Sequence, residues 1–482
     1  MDSGFHRKNN EELRGGTGRM RLTRSFFALL YRAMRRIYRK TGFSPLPVIA
    51  TGFAVLILLG SVLLSLPVAS ASGRAVPWFD ALFTATSAVC VTGLIVVDTG
   101  TVYSTFGHVV LLVLIQIGGL GFMTFATLLF RLMGRHISLR ERMVMQDSLN
   151  ASEMGGIVKL LHWVAACAVT IELAGALLFA FRFVPLYGWG KGLFYSLFHA
   201  VSAFCNAGFD LFGGGRSLTG FSTDLLVNLT AIAMVVFGGL GFGTLSDIMC
   251  KRRFRRFSLH TRLALISYGA LLALGFLLNL AIEWNNPLTL GPLSFGDKLL
   301  AALFQSVTLR TAGFNTIDQQ GLRDCTKLVN GFFMFVGAAP ASTGGGIKVT
   351  TLAILVLSVR MVLKGQKNMV VFGRRVDASL VQRALAIFSI AFAVAIVDVC
   401  ALSLLQPEAS FLDLYYECFS AIGTVGISAF GSANLVPLGR VLIIITMFVG
   451  RVGPLTMGLL LTRKQSRAKE LINYPEEHIM IG

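Results

Sequence analysis

The sequence predicts an all-α polytopic membrane protein, and three observations predict it: composition, charge distribution and an internal repeat. Hydrophobic residues make up 54% of the 482 residues, charged residues make up only 14%, and the mean hydropathy is +0.71. Soluble domains carry about 25% charged residues. A water-soluble core could not bury so much apolar surface, so the composition excludes a soluble enzyme, a disordered chain and a secreted disulfide scaffold.

Eight apolar runs are each about 20 residues or longer, the length that a helix needs to cross a bilayer. They lie near residues 47–68, 107–130, 157–183, 226–249, 262–282, 328–358, 383–405 and 438–461. The net charge is +19, and its Lys/Arg clusters, such as KRRFRR at 251–256, flank these runs at regular intervals. This positive-inside pattern predicts cytoplasmic N- and C-termini in a lipid bilayer. Because the clusters flank spans, nucleic acid is not an expected partner.

The seven cysteines and seven histidines are scattered and form no pattern with the spacing of a metal site or a disulfide framework. We therefore expect no organic cofactor in this chain and no enzymatic activity.

A short motif recurs four times between the apolar runs. It reads FDALFTATSAVCVTGLIVVD at 79–98, YSLFHAVSAFCNAGFD at 195–210, ALFQSVTLRTAGFNTID at 302–318 and YECFSAIGTVGISAFG at 416–431. Each copy has a Phe, then a Ser, then a Gly just before an apolar residue, and these glycines are Gly93, Gly208, Gly313 and Gly426. Their near-equal spacing of 115, 105 and 113 residues predicts internal duplication.

Each repeat is expected to be a membrane helix, a pore half-helix, a glycine loop and a second membrane helix, which gives four repeats and eight full spans. A half-helix is too short to span and must re-enter, and non-helical backbone at membrane depth is tolerated only inside protein or along a watery cavity. Four such loops can meet on a pseudo-fourfold axis, where their carbonyl oxygens replace the water shell of a cation. Glycine permits the close backbone approach that this needs.

These repeats divide the chain into six predicted parts. The parts are a basic cytoplasmic N-terminal arm at 1–46, repeat 1 at 47–134, repeat 2 at 157–250, repeat 3 at 261–360, repeat 4 at 381–462 and a cytoplasmic C-terminal tail at 463–482. Without a signal for another role, the arm is expected to be a disordered tail at the inner membrane surface.

The four glycine segments SAVCVTGL, SAFCNAGFD, RTAGFNTID and SAIGTVGIS resemble the filter segments of the Trk/Ktr/HKT superfamily of potassium transporters, from residue 45 to the end. No hydrophobic pair precedes Pro45, so the chain resembles the KtrB type, with eight spans, rather than the TrkH type, with ten. The tail NYPEEHIMIG also resembles the KtrB C-terminus.

This resemblance implies a K⁺ selectivity filter at the four glycine loops. Its residues would be Val91, Thr92, Gly93, Asn206, Ala207, Gly208, Thr311, Ala312, Gly313, Thr424, Val425 and Gly426. In plant relatives serine at the first filter position goes with sodium, so Gly93 favours K⁺ as the permeating ion. Since each loop keeps only one glycine of a TVGYG channel filter, we expect looser selectivity.

The resemblance further implies a homodimer in the bacterial inner (cell) membrane, with one pore per chain. It implies a cytoplasmic nucleotide-binding ring as partner, that is, a KtrA-like RCK subunit, and Na⁺ as an activator. The chain is then the conducting subunit of a potassium uptake system, through which K⁺ passes passively.

The sixth apolar run is interrupted by a Pro, a Ser, a Thr and three glycines at 340–346. Gly costs a helix about 1 kcal/mol and Pro about 3 kcal/mol, so the run is expected to break. The break resembles the family's gate, an intramembrane loop beneath the filter (residues 338–348, with Gly344, Gly345 and Gly346 at its centre); the alternative is a kinked helix with a packing role. QIGGLGF at 116–122, FGGLGF at 237–242 and GRVGPLT at 450–456 fit that packing role.

The segment ASTGGGIKVTT resembles a phosphate-binding loop only in part. Ile347 separates Gly346 from Lys348 and breaks the GxxxxGK[ST] pattern, so we do not expect the chain to hydrolyse ATP.

Two cations lie in apolar surroundings, where each costs about 2.5–3.5 kcal/mol on insertion scales. Arg451 matches the position of the family's pore-facing arginine and would form an electrostatic barrier under the filter; the alternative is a buried pair with Glu172 or Asp398. Lys348 either lines the same path or neutralises a carboxylate.

Three aspartates follow the first three glycine loops, and could concentrate cations at the outer mouth or simply be surface residues. They are Asp98, Asp210 and Asp318. The rival to a pore is a secondary cation carrier, sodium- or proton-coupled, with alternating access. Such a carrier normally has two inverted halves, whereas this sequence has four parallel units.

Overall fold

The computed structural model describes residues 46–121, 157–366, 368–453 and 456. The predicted N-terminal arm and C-terminal tail lie outside these residues, apart from Leu46. The described chain is mostly helical, and its strands are β1 (Val370–Val371) and β2 (Arg374–Arg375), which pair antiparallel in a small hairpin.

Eight helices lie among the described residues of the first half of the chain. They are α1 (Leu46–Ser65), α2 (Trp78–Cys90), α3 (Thr99–Val102), α4 (Thr105–Leu120), α5 (Ile157–Tyr187), α6 (Trp189–Phe204), α7 (Leu225–Gly239) and α8 (Phe242–Lys251) within the described residues. Single-turn 3₁₀ segments lie at Pro67–Ala69, Thr219–Phe221 and Phe254–Arg256.

The second half of the described chain continues this order of long and short helices. They are α9 (Leu259–Glu283), α10 (Phe295–Thr308), α11 (Asp324–Phe335), α12 (Val349–Leu363), α13 (Ala378–Leu405), α14 (Phe411–Gly423) and α15 (Pro437–Val452). A fourth 3₁₀ segment lies at Ser432–Asn434.

Polar side chains set several helix starts. The hydroxyl of Ser258 accepts from the amide of Thr261, Ser294 does the same for Asp297, and the carboxylate of Asp224 accepts from the amide of Val227. Each satisfies one of the backbone N–H groups that a helix leaves unbonded at its first turn.

The long helices expose large apolar side chains, which a soluble protein would bury. The short helices α2, α6, α10 and α14 are the buried ones, with Phe83, Phe198 and Phe204 fully or almost fully covered. The long helices instead expose large apolar side chains, such as Phe181 at 66% and Leu404 at 84%. A lipid environment covers such a surface, as expected for an integral membrane protein.

Three helices in the described residues are long and apolar enough to cross a membrane on their own. They are Leu161–Tyr187, Leu259–Glu283 and Ala378–Leu405, and the pair α7 and α8 forms a fourth span if its two parts are counted together. Shorter apolar helices are Ile49–Ser65, Thr105–Leu120 and Val349–Leu363. The predicted runs 107–130 and 438–461 extend beyond the described residues, because 122–156 and nearly all of 454–482 are not among them.

The predicted run 226–249 is not one kinked helix, and this corrects the interpretation of FGGLGF. Helix α7 ends at Gly239, α8 begins at Phe242, and the two axes differ by 97°. Gly241 joins them at φ +83°, in the left-handed region that glycine adopts at little cost. The sixth run breaks over a longer stretch than predicted, since residues 336–348 separate α11 from α12.

Candidate functional site

The four glycine loops (residues 91–93, 206–208, 311–313 and 424–426) begin where the short helices α2, α6, α10 and α14 end. All four have the same backbone signature, namely a left-handed residue followed two positions later by a glycine with positive φ. The left-handed residues are Val91 (φ 55°), Asn206 (59°), Thr311 (70°) and Thr424 (50°), and the glycines are Gly93 (94°), Gly208 (70°), Gly313 (78°) and Gly426 (95°).

The loops touch one another in cyclic order. A Cβ built on Gly93 would lie 2.5 Å from the Ala207 carbonyl oxygen, and one on Gly208 would lie 2.9 Å from that of Ala312. A Cβ on Gly313 would lie 2.7 Å from the Val425 oxygen, and one on Gly426 would overlap the Thr92 oxygen.

The carbonyl that precedes each glycine therefore faces the glycine of another loop, and the ring closes after four steps. A side chain at any of the four glycines would enter this ring of oxygens. Glycine is needed here both for its positive φ and for the close approach.

Each loop is fixed to its own short helix by a hydroxyl residue near the helix end. In the first loop the amide of Thr92 donates to the Ser87 carbonyl (2.8 Å), and the amide of Gly93 donates to the Ser87 hydroxyl (3.0 Å). In the fourth loop Val425 and Gly426 donate to Ser420 in the same way, at 2.8 and 3.0 Å.

The second and third loops use the hydroxyl as a donor. Ser202 donates to the Phe209 carbonyl at 2.8 Å, and Thr308 donates to the Phe314 carbonyl at 2.5 Å. In all four loops the amide of the middle residue donates to a carbonyl of the short helix. The carbonyls of Thr92, Ala207, Ala312 and Val425 accept no hydrogen bond from the part of the chain that the structure describes, so they are free to bind a cation.

The intramembrane loop (residues 338–348) lies against two of these loops. The amide of Gly345 donates to the Thr424 hydroxyl at 3.1 Å, and Gly344 packs so closely on Thr311 that a Cβ would overlap its hydroxyl. The neck of the loop is closed by the Gly337 amide, which donates to the Ile347 carbonyl at 2.8 Å. The contacts explain why the sequence has three consecutive glycines here.

The break between α7 and α8 holds the other side of the intramembrane loop. The amides of Ala339 and Thr343 donate to the carbonyls of Gly239 (2.9 Å) and Gly238 (3.2 Å). In return, the amide of Phe242 donates to the Ala341 carbonyl at 2.9 Å. The backbone groups that the break frees are thus bonded by the intramembrane loop, as buried polar groups require.

Arg451 reaches the intramembrane loop from α15. Its guanidinium donates to the carbonyls of Thr343, Gly118 and Gly119, the last at 3.2 Å. The alternative of a pair with Glu172 or Asp398 is wrong in this structure, because Arg451 forms no salt bridge within the described residues.

Those two carboxylates have other partners. The Gln116 amide donates to Glu172 at 2.9 Å, and the Thr446 hydroxyl donates to Asp398 at 2.5 Å. Lys348 donates to the Gly344 carbonyl at 2.7 Å and neutralises no carboxylate among the described residues.

Comparison with known proteins identifies the family. The model of the TrkH family, described as cation transport proteins, matches residues 41–470. The chain belongs to this family.

Curated relatives show the branch of the family. The chain is 42% identical over 447 residues to the Ktr system potassium uptake protein B of Bacillus subtilis, which covers 93% of this chain and 99% of the relative. It is 40% identical to the potassium/sodium uptake protein NtpJ of Enterococcus hirae (93% and 99% covered) and 39% identical to the Ktr system potassium uptake protein B of Vibrio alginolyticus (90% and 94%). The chain is therefore a KtrB-type member, and its relatives are transport proteins and not enzymes.

A solved structure has the same fold. The potassium transporter TrkH from Vibrio parahaemolyticus superposes with a TM-score of 0.70 at 19% sequence identity, covering 92% of each chain. The prediction of an all-α membrane fold is thus confirmed.

The three aspartates after the loops each hold a turn in place. Asp98 accepts from the Gly214 amide at 2.8 Å, Asp210 from the Phe212 amide at 3.0 Å and Asp318 from the Gln320 amide at 3.0 Å. Asp210 lies in the loop between α6 and α7, and burial raises its pKa to about 6, against the effect of the Phe212 amide and with help from Asp98. Asp318 is exposed.

One residue that supports the site is not predicted from the sequence. Arg310 is fully buried next to Thr311 and donates to the Val336 carbonyl at 2.6 Å, at the neck of the intramembrane loop. The sequence does carry a signal for it, because an arginine inside a half-helix motif is as costly as Lys348 or Arg451.

No group of three or more His, Cys, Asp or Glu side chains within the described residues could hold a metal ion.

Proposed function

We propose that this chain is the ion-conducting transmembrane subunit of a potassium uptake system, and that K⁺ passes passively through the four glycine loops. The observation that carries the proposal is the closed cycle of carbonyl oxygens at Thr92, Ala207, Ala312 and Val425, each against the glycine of another loop. Four unbonded carbonyls in a ring can replace the hydration shell of a monovalent cation. The names of the relatives, which are potassium uptake proteins, support K⁺ as the ion.

The proposal takes each loop with its helices as one of four repeats around the pore axis, with eight spans in total. The boundaries are those expected from the sequence, at 47–134, 157–250, 261–360 and 381–462. The shared backbone signature at Val91, Asn206, Thr311 and Thr424 supports the four-repeat arrangement.

We assign the gate to the intramembrane loop. It lies against Thr311 and Thr424, so a permeating ion that leaves the glycine loops meets it next. Arg451 donates to its Thr343 carbonyl and adds a positive charge on the same path, which opposes a cation. Lys348 adds a second charge from the loop itself.

We further propose a homodimer in the bacterial inner membrane with both termini in the cytoplasm, regulated by a nucleotide-binding ring. The word "system" in the relatives' names supports a multi-component assembly. The name of NtpJ, a potassium/sodium uptake protein, supports an influence of Na⁺. The aspartates at 98, 210 and 318 are proposed to lie at the outer mouth.

The test is K⁺ flux through the purified chain in proteoliposomes, together with growth of a potassium-uptake-deficient cell that expresses it, with and without added Na⁺. We expect flux driven by the membrane potential alone, and a reversal potential that follows the K⁺ gradient. An absence of K⁺ flux in folded protein would overturn the proposal.

The break between α7 and α8 is the one observation that favours a coupled carrier, because carriers also use interrupted helices at the membrane midplane. A carrier predicts a reversal potential that moves with the Na⁺ or H⁺ gradient at constant K⁺. The same proteoliposomes distinguish the two mechanisms.

A further inference from the structure

Glu417 is a fully buried carboxylate in the middle of α14, the short helix that leads into the fourth glycine loop. The Ser428 hydroxyl donates to its Oε2 and the Ser432 hydroxyl donates to its Oε1. Both serines belong to the segment that leaves the loop after Gly426. One side chain of the short helix therefore holds the outgoing segment at two points.

The contact continues into the backbone. The Ser428 hydroxyl accepts from the Gly431 amide at 2.7 Å, and Ser432 begins the 3₁₀ turn Ser432–Asn434. Ser420 holds the loop itself through the Gly426 amide. The Val425 carbonyl thus lies between two amides that donate to Ser420, those of Val425 and Gly426, and Glu417 holds the segment that follows.

The second and third loops have a different attachment at this place. In the second loop the Leu211 amide donates to Nε2 of His199 at 3.4 Å, while Nδ1 of His199 lies 2.7 Å from the Tyr195 carbonyl. In the third loop Gln305 and Gln319 exchange two amide hydrogen bonds at 2.9 and 3.1 Å. Of these three attachments, only that of the fourth loop uses both oxygens of a carboxylate.

The carboxylate is retained at a cost. A buried ion needs a partner, and Lys327, on the helix α11 that packs against α14, is bonded to Asp413 at 2.7 Å. The two serine hydroxyls are the donors that stabilise Glu417. Because the two bonds reach one side chain, they fix the outgoing segment at two points, Ser428 and Ser432.

We propose that Glu417 is a positioning residue that sets the preference of the pore for K⁺ over Na⁺, because its two bonds to Ser428 and Ser432 fix the segment behind the Val425 carbonyl. A loosened segment would let the ring of oxygens contract around the smaller Na⁺ ion. The inference rests on the proposed function, since it concerns the same ring.

The experiment compares K⁺ and Na⁺ flux in proteoliposomes for the wild type and for Ser428→Ala combined with Ser432→Ala. We expect the ratio of K⁺ to Na⁺ flux to fall about tenfold in the double variant, since two donors to a buried carboxylate are lost. Glu417→Gln keeps one acceptor and one donor, so it should retain most of the wild-type ratio.

Thr446→Val is the matched control. It also removes a buried hydroxyl that donates to a carboxylate, Asp398, but at the α13–α15 contact away from the glycine loops. Its flux ratio should equal that of the wild type, and its melting temperature reports the general cost of losing such a bond.

The outcomes separate the two proposals. If the wild type passes no K⁺, the proposed function fails. If the wild type and Thr446→Val discriminate between the ions and the double serine variant discriminates equally well, only the role of Glu417 is overturned. Should the double variant not fold, each single serine variant is expected to lower the ratio about threefold, and unchanged ratios in both would overturn the inference.

Discussion

The glycine loops and the intramembrane loop are both non-helical segments inside the helical bundle, but different contacts hold them. Each glycine loop is bonded to its own short helix through local amide bonds, as Ser87 and Ser420 illustrate. The intramembrane loop is held by distant elements, namely the α7–α8 break, the Thr424 hydroxyl and the Arg451 guanidinium. Local bonds thus hold each glycine loop in one backbone geometry. The intramembrane loop depends on several separate contacts, and each of these can break without the others.

This difference predicts that changes in the glycine loops alter which ion passes, and that changes around the intramembrane loop alter how much passes. The substitutions below test it in order of expected size.

Gly313→Ser should have the largest effect. The new side chain would meet the Val425 oxygen at 2.7 Å and would have to adopt φ +78°, a conformation that costs a non-glycine residue about 1–2 kcal/mol. We expect K⁺ flux and the K⁺ over Na⁺ ratio to fall at least about tenfold. Gly296→Ser is the control, because a Cβ there meets nothing within 4 Å. Unchanged preference in folded Gly313→Ser protein would contradict a pore at these loops.

Arg451→Gln should raise K⁺ flux about fivefold without changing ion preference, because it removes a charge from the path and bonds to the intramembrane loop. Flux at fixed membrane potential measures this. Arg440→Gln is the matched control on the same helix, since that guanidinium bonds to Asp80 at 2.9 Å. Unchanged permeation in folded protein would remove Arg451 from the gate.

Thr424→Val should raise flux by about twofold to threefold. It keeps a branched side chain but removes the acceptor of the Gly345 amide, and a buried donor left without a partner costs about 1–3 kcal/mol, so the intramembrane loop leaves its position more often. Thr86→Val is the control, because that hydroxyl bonds only to its own helix at Leu82. Equal flux in both variants would mean that the bond to Gly345 does not hold the loop.

The smallest effect is expected from external pH. The pKa of Asp210 is raised to about 6, chiefly by burial, so its carboxylate is charged at pH 7.5 and largely protonated at pH 5.5. If Asp210 lies at the outer mouth, as proposed, losing its charge should raise the K⁺ concentration for half-maximal uptake about twofold. In Asp210→Asn the same pH change should have no such effect, and a persisting shift would assign it to another group.

The sequence predicts where the four glycine loops contact one another most closely. Gly93, Gly208, Gly313 and Gly426 are identified from the repeated motif and its spacing, because a glycine in a repeated motif marks a place where a Cβ is forbidden. The left-handed residues two positions earlier are not predicted. Three of the four are the β-branched Val91, Thr311 and Thr424, which give no sequence signal for a positive φ, and only Asn206 is of a type that favours it.

The helix breaks are predicted only in part. The interruption at 340–346 contains a proline and three glycines, which no helix accommodates well, and the structure has a longer break there. FGGLGF resembles an ordinary close-packing motif, and its glycines do pack closely. Its 97° bend depends on bonds to the intramembrane loop about 100 residues later in the chain, which local sequence does not encode.

The hydrogen-bond partners of Arg451 are not predicted by the sequence either. Pairing with Glu172 or Asp398 is a reasonable alternative from the sequence, because buried charges are usually paired. The structure instead satisfies the guanidinium with carbonyls exposed where helices end, at Gly118 and Gly119 and in the intramembrane loop. Every residue has a backbone carbonyl group, so the sequence does not show which of them accept these bonds.

Helix α8 leaves the break at Gly241 and ends at Lys251, directly before the basic turn at 252–256. Its first residue, Phe242, is bonded through its amide to Ala341. Helix α8 therefore connects the basic turn directly to the backbone of the intramembrane loop. If the intramembrane loop is the gate, as proposed, a displacement of that turn would reach Ala341 along a single helix.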